Sequence, residues 1–405
     1  MRSKEGSKPQ IQTGRNKMKV LYINSVVDFG STGKIVRDLA SAQDDSLVCF
    51  GRKSGRPEDY QITTFMGNAG GALKAILFDR NGFANAAETK ALTEKIREYD
   101  PDVIHLHNLH GYYLNIEVLF AFLKKYGKPV VWTLHDCWSY TGYCPYYDMV
   151  GCSKWEKGCE KCPYPFAYPF SLFKQHTSEN FEDKKRIFRN VGDMTIVTPS
   201  AWLKREVERS FLSCYPVKVI PNGIDLTSFN AESRPEKEQF TVLFAANIWT
   251  REKGSEEIKK LLPLLDSEIK VTVIGQGSEG FKKYPGVKTL PRTSSKEELA
   301  EIYRGADLFV NMTLQDNFPT VNIEALNCGT PVVTYDTGGS PEIPDASSGA
   351  VVAKGDYRVM AETINSLKKQ NRFTCEACSS RGKTFSRERM VRSYTALYRE
   401  LCEKS

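Results

Sequence analysis

The chain is predicted to fold as two α/β domains in tandem, each built on a doubly wound parallel sheet. Short, near-continuous apolar runs alternate with helical segments along the chain, which is typical of parallel strands covered by helices on both faces. The pattern pauses near residues 219–238 and then restarts, and 405 residues exceed the usual size of one domain. In such domains ligands bind at the carboxyl ends of the strands, so those ends are the places to search.

Each domain contributes four strands to this prediction. In the first domain they cover residues 19–23, 103–106, 129–134 and 193–197, with a helix from about 33 to 42. In the second they cover residues 240–244, 271–274, 307–310 and 331–335, with a helix over 320–327 that Gly329 ends as a C-terminal cap. The predicted domains are 18–230 and 236–384, with the linker between them, and the segment 385–405 adds a last helix over 387–402.

Composition narrows the class of protein. The first 17 residues are basic and polar without the apolar stretch of a signal peptide, so we expect a disordered extension, with Met18 as a second candidate start. No apolar run is long enough to cross a bilayer, which favours a cytoplasmic protein. The net charge of +7 fits either solubility or attraction to phosphorylated substrates or a lipid surface. No basic block is dense enough to predict nucleic-acid binding.

A glycine-containing loop, residues 28–33, joins the first strand to its helix. Glycine lets the backbone approach a ligand, and a helix N-terminus offers N–H groups to an anion. The loop has neither the Walker pattern nor G-x-G-x-x-G, which disfavours a dinucleotide oxidoreductase. A tight turn without a ligand is the alternative. The candidate ligand contacts are Gly30, Ser31, Thr32 and Gly33.

Four of the five histidines stand at two adjacent strand ends of the first domain. A metal site at His105 and His107 would lack a third ligand nearby. His135 is the better candidate, because a histidine can hydrogen-bond a substrate hydroxyl and titrates near neutral pH. A loop histidine that only packs is the alternative. The weaker candidates on this side are His107, Asn108, His110 and Asp136.

The segment 316–324 carries the strongest signal in the second domain. Asp316 and Asn317 stand in the loop before a helix, and Pro319 suits the start of that helix because its missing N–H is not needed there. The helix N-terminus presents N–H groups from Thr320 onward to a phosphate, and Glu324 lies one turn inside. A solvent-exposed helix cap is the alternative.

Two further loops follow strands of the second domain. Lys253 precedes a glycine at a strand-to-helix turn after Asn247, where a lysine suits a phosphate contact; a solvated lysine is the alternative. The stretch beginning at Gly275 follows the next strand, where a loop would accept a nucleotide base.

Together these residues resemble the retaining glycosyltransferase family 4 (group 1), whose GT-B fold consists of two Rossmann-like domains facing a cleft. The resemblance covers roughly residues 18–402 and is closest to bacterial enzymes of capsule and exopolysaccharide assembly. The family motif Glu-x-Phe-Gly-x-x-x-x-Glu, followed by Ala-x-x-x-Gly-x-Pro-Val-Val, maps onto Asp316, Phe318, Pro319 and Glu324, and then onto Ala325 and Gly329 to Val333. Residues 222–225 match the linker motif.

The resemblance implies a transferase that uses a nucleotide sugar, such as a UDP- or GDP-sugar, and a saccharide or lipid-linked acceptor. It implies catalytic roles for His135 and Asp316, phosphate contacts from Lys253 and the N–H groups of residues 318–320, and a ribose contact from Glu324. It further implies transfer with retention without a catalytic metal, and a final helix that returns to the first domain. Residues 164–174 are a candidate contact with the inner face of a membrane.

Two departures from the family pattern concern the donor site. Asp316 replaces the usual glutamate and is one methylene shorter, so its reach toward the sugar differs. Asn247 stands where an arginine is usual, so one cation for the phosphates is missing, and Arg251 or Arg292 are candidate substitutes.

Five of the eleven cysteines fall between residues 137 and 162. Without a secretion signal, reduced thiols are expected. Four of the five, Cys144, Cys152, Cys159 and Cys162, have spacing that favours a structural zinc site in the loop 137–165. Disulfide pairing and unliganded thiols are the alternatives.

Two competing functions remain at this stage. A sugar-nucleotide epimerase has the same two-domain fold and would need further acid/base residues in the cleft. An inactive sugar-nucleotide-binding protein would fit the two departures in the donor site.

Overall fold

The computed structural model describes residues 17–52, 55–163, 171–172, 176–232, 238–370 and 372–404. The predicted N-terminal extension, most of the predicted linker and most of the candidate membrane segment 164–174 therefore lie outside the described residues.

A seven-stranded parallel sheet, in the order β3-β2-β1-β4-β5-β6-β7, organises the first half of the chain. Its strands are β1 (Lys19–Asn24), β2 (Asp45–Phe50), β3 (Tyr60–Gln61), β4 (Val103–Leu106), β5 (Val130–Thr133), β6 (Met194–Thr198) and β7 (Val217–Val219). The helices between them are α1 (Gly30–Ser41), α2 (Phe65–Phe78), α3 (Ala86–Tyr99), α4 (Ile116–Tyr126), α5 (Thr177–Phe188) and α6 (Ala201–Arg209).

A six-stranded parallel sheet, in the order β10-β9-β8-β11-β12-β13, organises the second half. Its strands are β8 (Thr241–Ile248), β9 (Lys270–Gln276), β10 (Val287–Leu290), β11 (Leu308–Asn311), β12 (Val332–Tyr335) and β13 (Gly349–Val352). The helices are α7 (Ser255–Leu261), α8 (Lys296–Arg304), α9 (Thr320–Asn327), α10 (Tyr357–Gln370), α11 (Cys375–Lys383) and α12 (Arg387–Cys402).

Strand burial explains why the apolar runs are continuous. Leu21 and Ile23 of β1 belong to the core on one face of the first sheet, and Val20 and Tyr22 to the core on the other face. Successive side chains of a strand point to opposite faces, so burial on both faces requires apolar residues at every position. The predicted fold class is confirmed: both sheets are parallel and doubly wound.

The strands that the sequence did not predict are β2, β3, β7, β10 and β13, which lie toward the edges of the two sheets. The four edge strands, β3, β7, β10 and β13, have two to four residues and lack an uninterrupted apolar signal. Strand β2 is paired on both sides, and its buried run of four residues was missed. The burial of β7 and β10 is partial throughout.

The last helix, α12, packs on the first sheet although it follows the second one. Its Tyr394 and Tyr398 are buried in the core that contains Val20 and Tyr22. Tyr398 hydrogen-bonds His105 at 2.7 Å, and Tyr394 hydrogen-bonds Thr133 at 2.9 Å. The chain is thereby tied back to β4 and β5, the two strands whose ends carry the histidines.

Among the described residues, no helix is long and apolar enough to span a membrane.

Candidate active site

A cavity of about 400 Å³ lies between the two sheets, at the carboxyl ends of their strands. The strand order reverses between β1 and β4 in one sheet and between β8 and β11 in the other, and loops that follow these strands reach the cavity. Such switch points leave a crevice where ligands bind in open α/β sheets. The predicted site residues that line the cavity are Ser31, Thr32, His135, Asn247, Lys253, Asp316, Asn317, Phe318, Pro319 and Thr320.

Two helix N-termini open onto this cavity from opposite domains. Helix α1 begins at Gly30 and helix α9 at Thr320, and neither has a side-chain hydrogen bond from its N-cap residue. Ser31 and Thr32 of the first helix and Thr320 of the second line the cavity. Free N–H groups and the positive end of the helix dipole favour an anion at each terminus.

The C-terminal end of α9 is capped at Gly329, as the sequence predicted. Gly329 adopts a φ of +74°, its N–H bonds the carbonyl of Leu326 at 2.9 Å, and the next N–H, of Thr330, bonds that of Ala325 at 2.9 Å. This pair of bonds is a Schellman motif, in which a left-handed glycine ends the helix.

Lys253 and Asp316 form a charged pair inside the cavity. The Lys253 ammonium lies 2.6 Å from one carboxylate oxygen of Asp316, and the other oxygen accepts a bond from the N–H of Phe318 at 3.3 Å. Asp316 is thus held at the start of α9, where the helix dipole favours its charge. Although Asp316 is one methylene shorter than the usual glutamate, its carboxylate still reaches Lys253.

Backbone packing places Lys253 beside that carboxylate. The next residue, Gly254, has a φ of +81°, and a Cβ there would lie 2.2 Å from the carbonyl oxygen of Met312. The N–H of Leu314 also bonds the carbonyl of Glu252 at 2.8 Å. Glycine is therefore required for the loop after β8 to dock on the loop after β11, which brings the two charges together.

His135 faces the cavity from the first domain and is held by its neighbours. Its Nε2 atom lies 2.9 Å from Nδ1 of His107, with the two rings stacked, and its carbonyl accepts a bond of 2.7 Å from the side chain of Asn317. Burial lowers the pKa of His135 to about 4. The prediction that this histidine titrates near neutral pH is wrong, because desolvation disfavours the imidazolium.

The other first-domain candidates lie behind His135 rather than on the cavity wall. His110 pairs with Asp136 at 2.7 Å, and the other Asp136 oxygen accepts the N–H of Trp138 at 2.9 Å. The N–H of Asn108 bonds the side chain of Asn24 at 3.1 Å. These bonds brace the strand ends that carry the histidine pair.

His105 is buried in the core of the first domain. One ring nitrogen bonds Tyr398, and the other lies 2.8 Å from the hydroxyl of Thr133. Both nitrogens are thereby used in buried hydrogen bonds, so the structure does not support a metal site at His105 and His107.

Four predicted donor-side residues do not line the cavity: Gly30, Gly33, Gly275 and Glu324. Gly275 lies within β9 and not in a loop; a Cβ there would meet the carbonyl oxygen of Ala246 at 1.9 Å. Glu324 is partly buried in α9, where Tyr303 donates a 3.1 Å hydrogen bond to it and desolvation raises its pKa.

Neither proposed substitute for the missing arginine lines the cavity, and both Arg251 and Arg292 are exposed. Lys253 is the one lysine or arginine among the described lining residues. The two helix N-termini therefore supply most of the remaining positive potential.

Sequence reasoning missed several cavity residues. Tyr146 reaches the cavity from the long loop that follows β5, and Trp249 reaches it from the loop after β8. The indole N–H of Trp249 bonds the carbonyl of Ile274 at 3.0 Å, which fixes its ring over the second sheet. An aromatic residue just after a predicted strand was the available signal for Trp249. The other unpredicted lining residues are Ile35, Pro199, Asn222, Ala245, Ala246, Asn311, Val310 and Val321.

Three polar contacts cross between the domains around the cavity. The Glu342 carboxylate accepts the N–H groups of Ala201 and Trp202 at 2.8 and 2.7 Å, which caps α6 of the first domain. Lys354 pairs with Asp148 at 2.9 Å. Together with the Asn317 bond to His135, these contacts hold the two walls of the cavity in register.

Two family models match this chain, one for each half. The model described as "Glycosyltransferase Family 4" matches residues 32–228, and the model described as "Glycosyl transferases group 1" matches residues 239–370. The first match begins within α1 and runs past β7, so it leaves out β1, whereas the second spans all six strands of the second sheet and contains the Lys253–Asp316 pair. The chain belongs to the group 1 glycosyltransferases of family 4. The resemblance found in the sequence is confirmed for the family and the fold: the protein is a glycosyltransferase with a GT-B fold.

Relatives agree with this assignment over most of the chain. WcaC of Escherichia coli (strain K12), a glycosyl transferase named for colanic acid biosynthesis, is 28% identical over 349 residues, or 80% of this chain and 82% of that protein. This relationship links the glycosyltransferase to enzymes of exopolysaccharide biosynthesis.

Solved structures share the fold at low sequence identity. Sucrose-phosphate synthase from Thermosynechococcus elongatus superimposes with a TM-score of 0.70 at 16% identity, over 96% of this chain and all of that one. HepE of Anabaena, in complex with UDP and glucose, superimposes with a TM-score of 0.61 at 15% identity, over 94% of this chain and 99% of that one.

Proposed function

We propose that this glycosyltransferase moves a sugar from a UDP- or GDP-sugar to a saccharide or lipid-linked saccharide, with retention, in polysaccharide biosynthesis. The observation that carries the proposal is the cavity itself, where Lys253, His135 and two uncapped helix N-termini, one from each domain, converge. A diphosphate is the ligand that this arrangement favours, because N–H groups and an ammonium both stabilise phosphate charge. HepE, of the same fold, was solved with UDP and glucose.

The donor would lie along the second domain. Its diphosphate would bind between Lys253 and the N-terminus of α9, with the sugar near Asp316. Because Lys253 and Asp316 are in contact at 2.6 Å, a phosphate oxygen beside the lysine would place the attached sugar within reach of the carboxylate. Glu324, one turn inside the same helix, is the ribose contact that the family resemblance implies, although in the structure it bonds Tyr303 and does not line the cavity.

His135 would act as a neutral hydrogen-bonding group. His107 Nε2 is buried without a described partner, and an unpaired nitrogen lone pair costs less there than an unpaired N–H. The proton of His107 is therefore expected on Nδ1, which donates to Nε2 of His135. His135 then carries its own proton on Nδ1, as a donor for a sugar hydroxyl.

Retention is supported by the carboxylates of the cavity. Asp316 is the one Asp or Glu among the described lining residues, and Lys253 and the N–H of Phe318 already hold it. In front-face transfer no separate base is needed: the bond from the anomeric carbon to the diphosphate breaks, the acceptor oxygen bonds to the same face, and its proton passes to the leaving phosphate. Lys253 and the helix termini would stabilise that phosphate.

The test is a transfer assay with the full-length protein. Each UDP- and GDP-sugar of a panel is incubated with lipid-linked and free saccharides, and nucleotide release and product are followed, with the anomeric configuration read by NMR. We expect nucleotide release that requires acceptor, and an α-linked product from an α-linked donor. A β-linked product would overturn retention. An epimerised sugar nucleotide formed without acceptor would replace the proposal by the epimerase alternative.

An exposed apolar surface on the first domain supports the membrane side of the proposal. Helix α2 exposes large apolar side chains, led by Phe65 at 83% and Met66 at 75% exposure, and Leu172 lies beside it through a 2.9 Å bond from its N–H to the carbonyl of Ile76. The helix also packs on the loop after β4, since a Cβ at Gly71 would lie 2.3 Å from the Tyr112 carbonyl oxygen. The exposed large apolar residues on α2 are Phe65, Met66, Leu73, Leu77 and Phe78.

An apolar surface next to the histidine-bearing loop suits an enzyme that takes its acceptor from a membrane, because contiguous exposed apolar area marks interaction sites. Co-sedimentation with phosphatidylglycerol-containing vesicles tests this. The double substitution Phe65→Ser and Phe78→Ser should abolish sedimentation with the vesicles, whereas Leu264→Ser, at an exposed leucine of the second domain, should leave it unchanged. Equal binding by all three proteins, or by none, would refute the lipid contact.

A further inference from the structure

Outside the cleft, four thiols surround one small cavity in the loop that follows β5. Cys144, Cys152, Cys159 and Cys162 all line it, and its volume is about 20 Å³. A space of this size accommodates a single water-sized particle, which excludes a metal–sulfur cluster. All four cysteines are free thiols in the structure.

The backbone around the last two cysteines has the features of a ligand-presenting turn. Lys161, between Cys159 and Cys162, adopts a φ of +44°, and the Lys154 ammonium bonds the carbonyls of Glu160 and Lys161 at 3.0 and 2.8 Å. The N–H of Gly142 donates to the Cys159 sulfur at 3.1 Å. An N–H directed at sulfur stabilises a thiolate more than a thiol, because a charged acceptor makes the stronger bond.

A buried lysine lies next to this cavity, and desolvation lowers its pKa to about 7. The Lys184 side chain is 1% exposed, and its ammonium bonds the carbonyls of Trp138 and Thr141 at 2.8 and 3.1 Å. Thr141 directly precedes the glycine that donates to Cys159. Among the described carboxylates none forms an ion pair with Lys184, although a buried charge normally requires one. A negatively charged centre at the thiol cluster would provide it.

We propose that Cys144, Cys152, Cys159 and Cys162 bind one Zn²⁺ ion. As the described side chains stand, no three His, Cys, Asp or Glu residues are already arranged to hold a metal ion, so binding would turn the thiols inward. Zinc takes four thiolates in a tetrahedron at about 2.3 Å, and a four-cysteine centre of this kind carries a net negative charge beside Lys184. The four thiol protons are released to solvent, and the ion undergoes no redox change.

The metal would brace a loop that serves both walls of the cleft. Tyr146, two residues after Cys144, lines the active-site cavity, and Asp148 pairs with Lys354 of the second domain at 2.9 Å. Metal binding would fix the position of these two side chains. The inference goes beyond the proposed reaction, since it concerns this loop and holds for any donor or acceptor.

Metal content of the full-length protein tests the site. By plasma mass spectrometry we expect about one zinc per chain, its loss in the double substitution Cys159→Ser and Cys162→Ser, and its retention in Cys214→Ser, at an exposed cysteine outside the cluster. Should the double variant not fold, the wild-type protein is stripped with a chelator and titrated with Co²⁺. Intense visible bands of tetrahedral cobalt–thiolate coordination are then expected.

Three results would overturn the proposal. The first is a wild-type protein that neither contains zinc nor develops those cobalt bands. The second is a loss of free thiols in the unreduced, denatured protein that shows disulfides within the cluster. The third is iron with labile sulfide. Donor binding is measured in parallel by thermal stabilisation with nucleotide sugars, so the absence of a metal with intact donor binding refutes the zinc site alone.

Discussion

The two walls of the cleft are built from different chemistry. The second-domain wall presents charge: the Lys253–Asp316 pair and the N-terminus of α9. The first-domain wall presents the N-terminus of α1 and His135, which is stacked on His107 and kept neutral by burial. The difference indicates a division of work, in which the second wall supplies the charged side chains that hold an anionic leaving group, and the first wall adds a neutral histidine that orients uncharged hydroxyl groups.

Loss of the charge on the second wall should have the largest effect. Lys253→Ala removes the one cationic side chain among the described lining residues, and kcat/KM should fall by roughly 10²–10³, in line with the loss of a preorganised charge contact in a transition state. Steady-state kinetics of nucleotide release measures this. The matched control is Lys259→Ala in α7, whose exposed pair with Glu256 lies outside the cavity and whose loss should leave the rate within about twofold. Equal losses in both variants would mean that global charge, not this contact, matters.

Removal of the hydrogen-bonding group on the first wall should cost less. His135→Ala is expected to lower kcat/KM roughly tenfold, because a neutral hydrogen bond contributes about 1.4 kcal/mol. His135→Asn, which keeps an N–H donor, should recover part of the loss. The comparison of the two walls would fail if His135→Ala were more damaging than Lys253→Ala.

The neutral histidines also make a prediction about acid stability. Burial lowers the pKa values of His105, His107 and His135, the last to about 4, while in the unfolded chain each is near 6.5. Between these values the unfolded state binds more protons, so this stabilisation is complete above pH 6.5 and is lost as the pH falls toward 4.

Unfolding in urea across this pH range, followed by fluorescence, measures the effect. The free energy of unfolding should decrease steadily from pH 6.5 to 4.5, and His176→Gln, at a histidine outside the cleft, should show the same slope. A constant stability over the range, or an NMR titration of His135 centred near pH 6.5, would contradict a neutral His107–His135 pair.

Weakening the interdomain contact made by Glu342 should have the smallest effect on activity. Glu342→Gln keeps the shape of the side chain but removes the charge that caps Ala201 and Trp202, so the KM for the donor should rise about threefold to fivefold with kcat little changed. Donor-dependent kinetics and small-angle scattering of the domain arrangement check this. An unchanged KM would show that the contact contributes nothing to closure.

The second wall was largely predictable from sequence because its parts are local. Asp316, Phe318 and Thr320 follow one another around a single strand-to-helix turn, and Lys253 sits at a similar turn with a glycine after it. Turn chemistry of this kind is visible in a short window of sequence. The contact of 2.6 Å between Lys253 and Asp316 could not be predicted from the sequence, because it depends on the docking of two loops and the two residues are 63 positions apart in the chain.

The first wall was predictable only in part. The histidines at the strand ends were found, but their neutrality follows from burial, which a sequence does not display. Tyr146 was missed because no periodic pattern fixes the path of the long loop after β5. Gly275 was predicted to lie in a loop but lies in β9, because β9 continues two residues beyond its apolar stretch, residues 271–274.

The most direct test of the central claim, a cavity that binds a nucleotide sugar between two unlike walls, is thermal stabilisation of the full-length protein by a panel of UDP- and GDP-sugars. A donor held by both domains should raise the melting temperature in proportion to its binding free energy. We predict that at least one member stabilises the wild-type protein and Lys259→Ala, and that Lys253→Ala loses most of this shift. A panel that leaves the melting temperature of the wild-type protein unchanged, or that stabilises Lys253→Ala equally, would contradict the account.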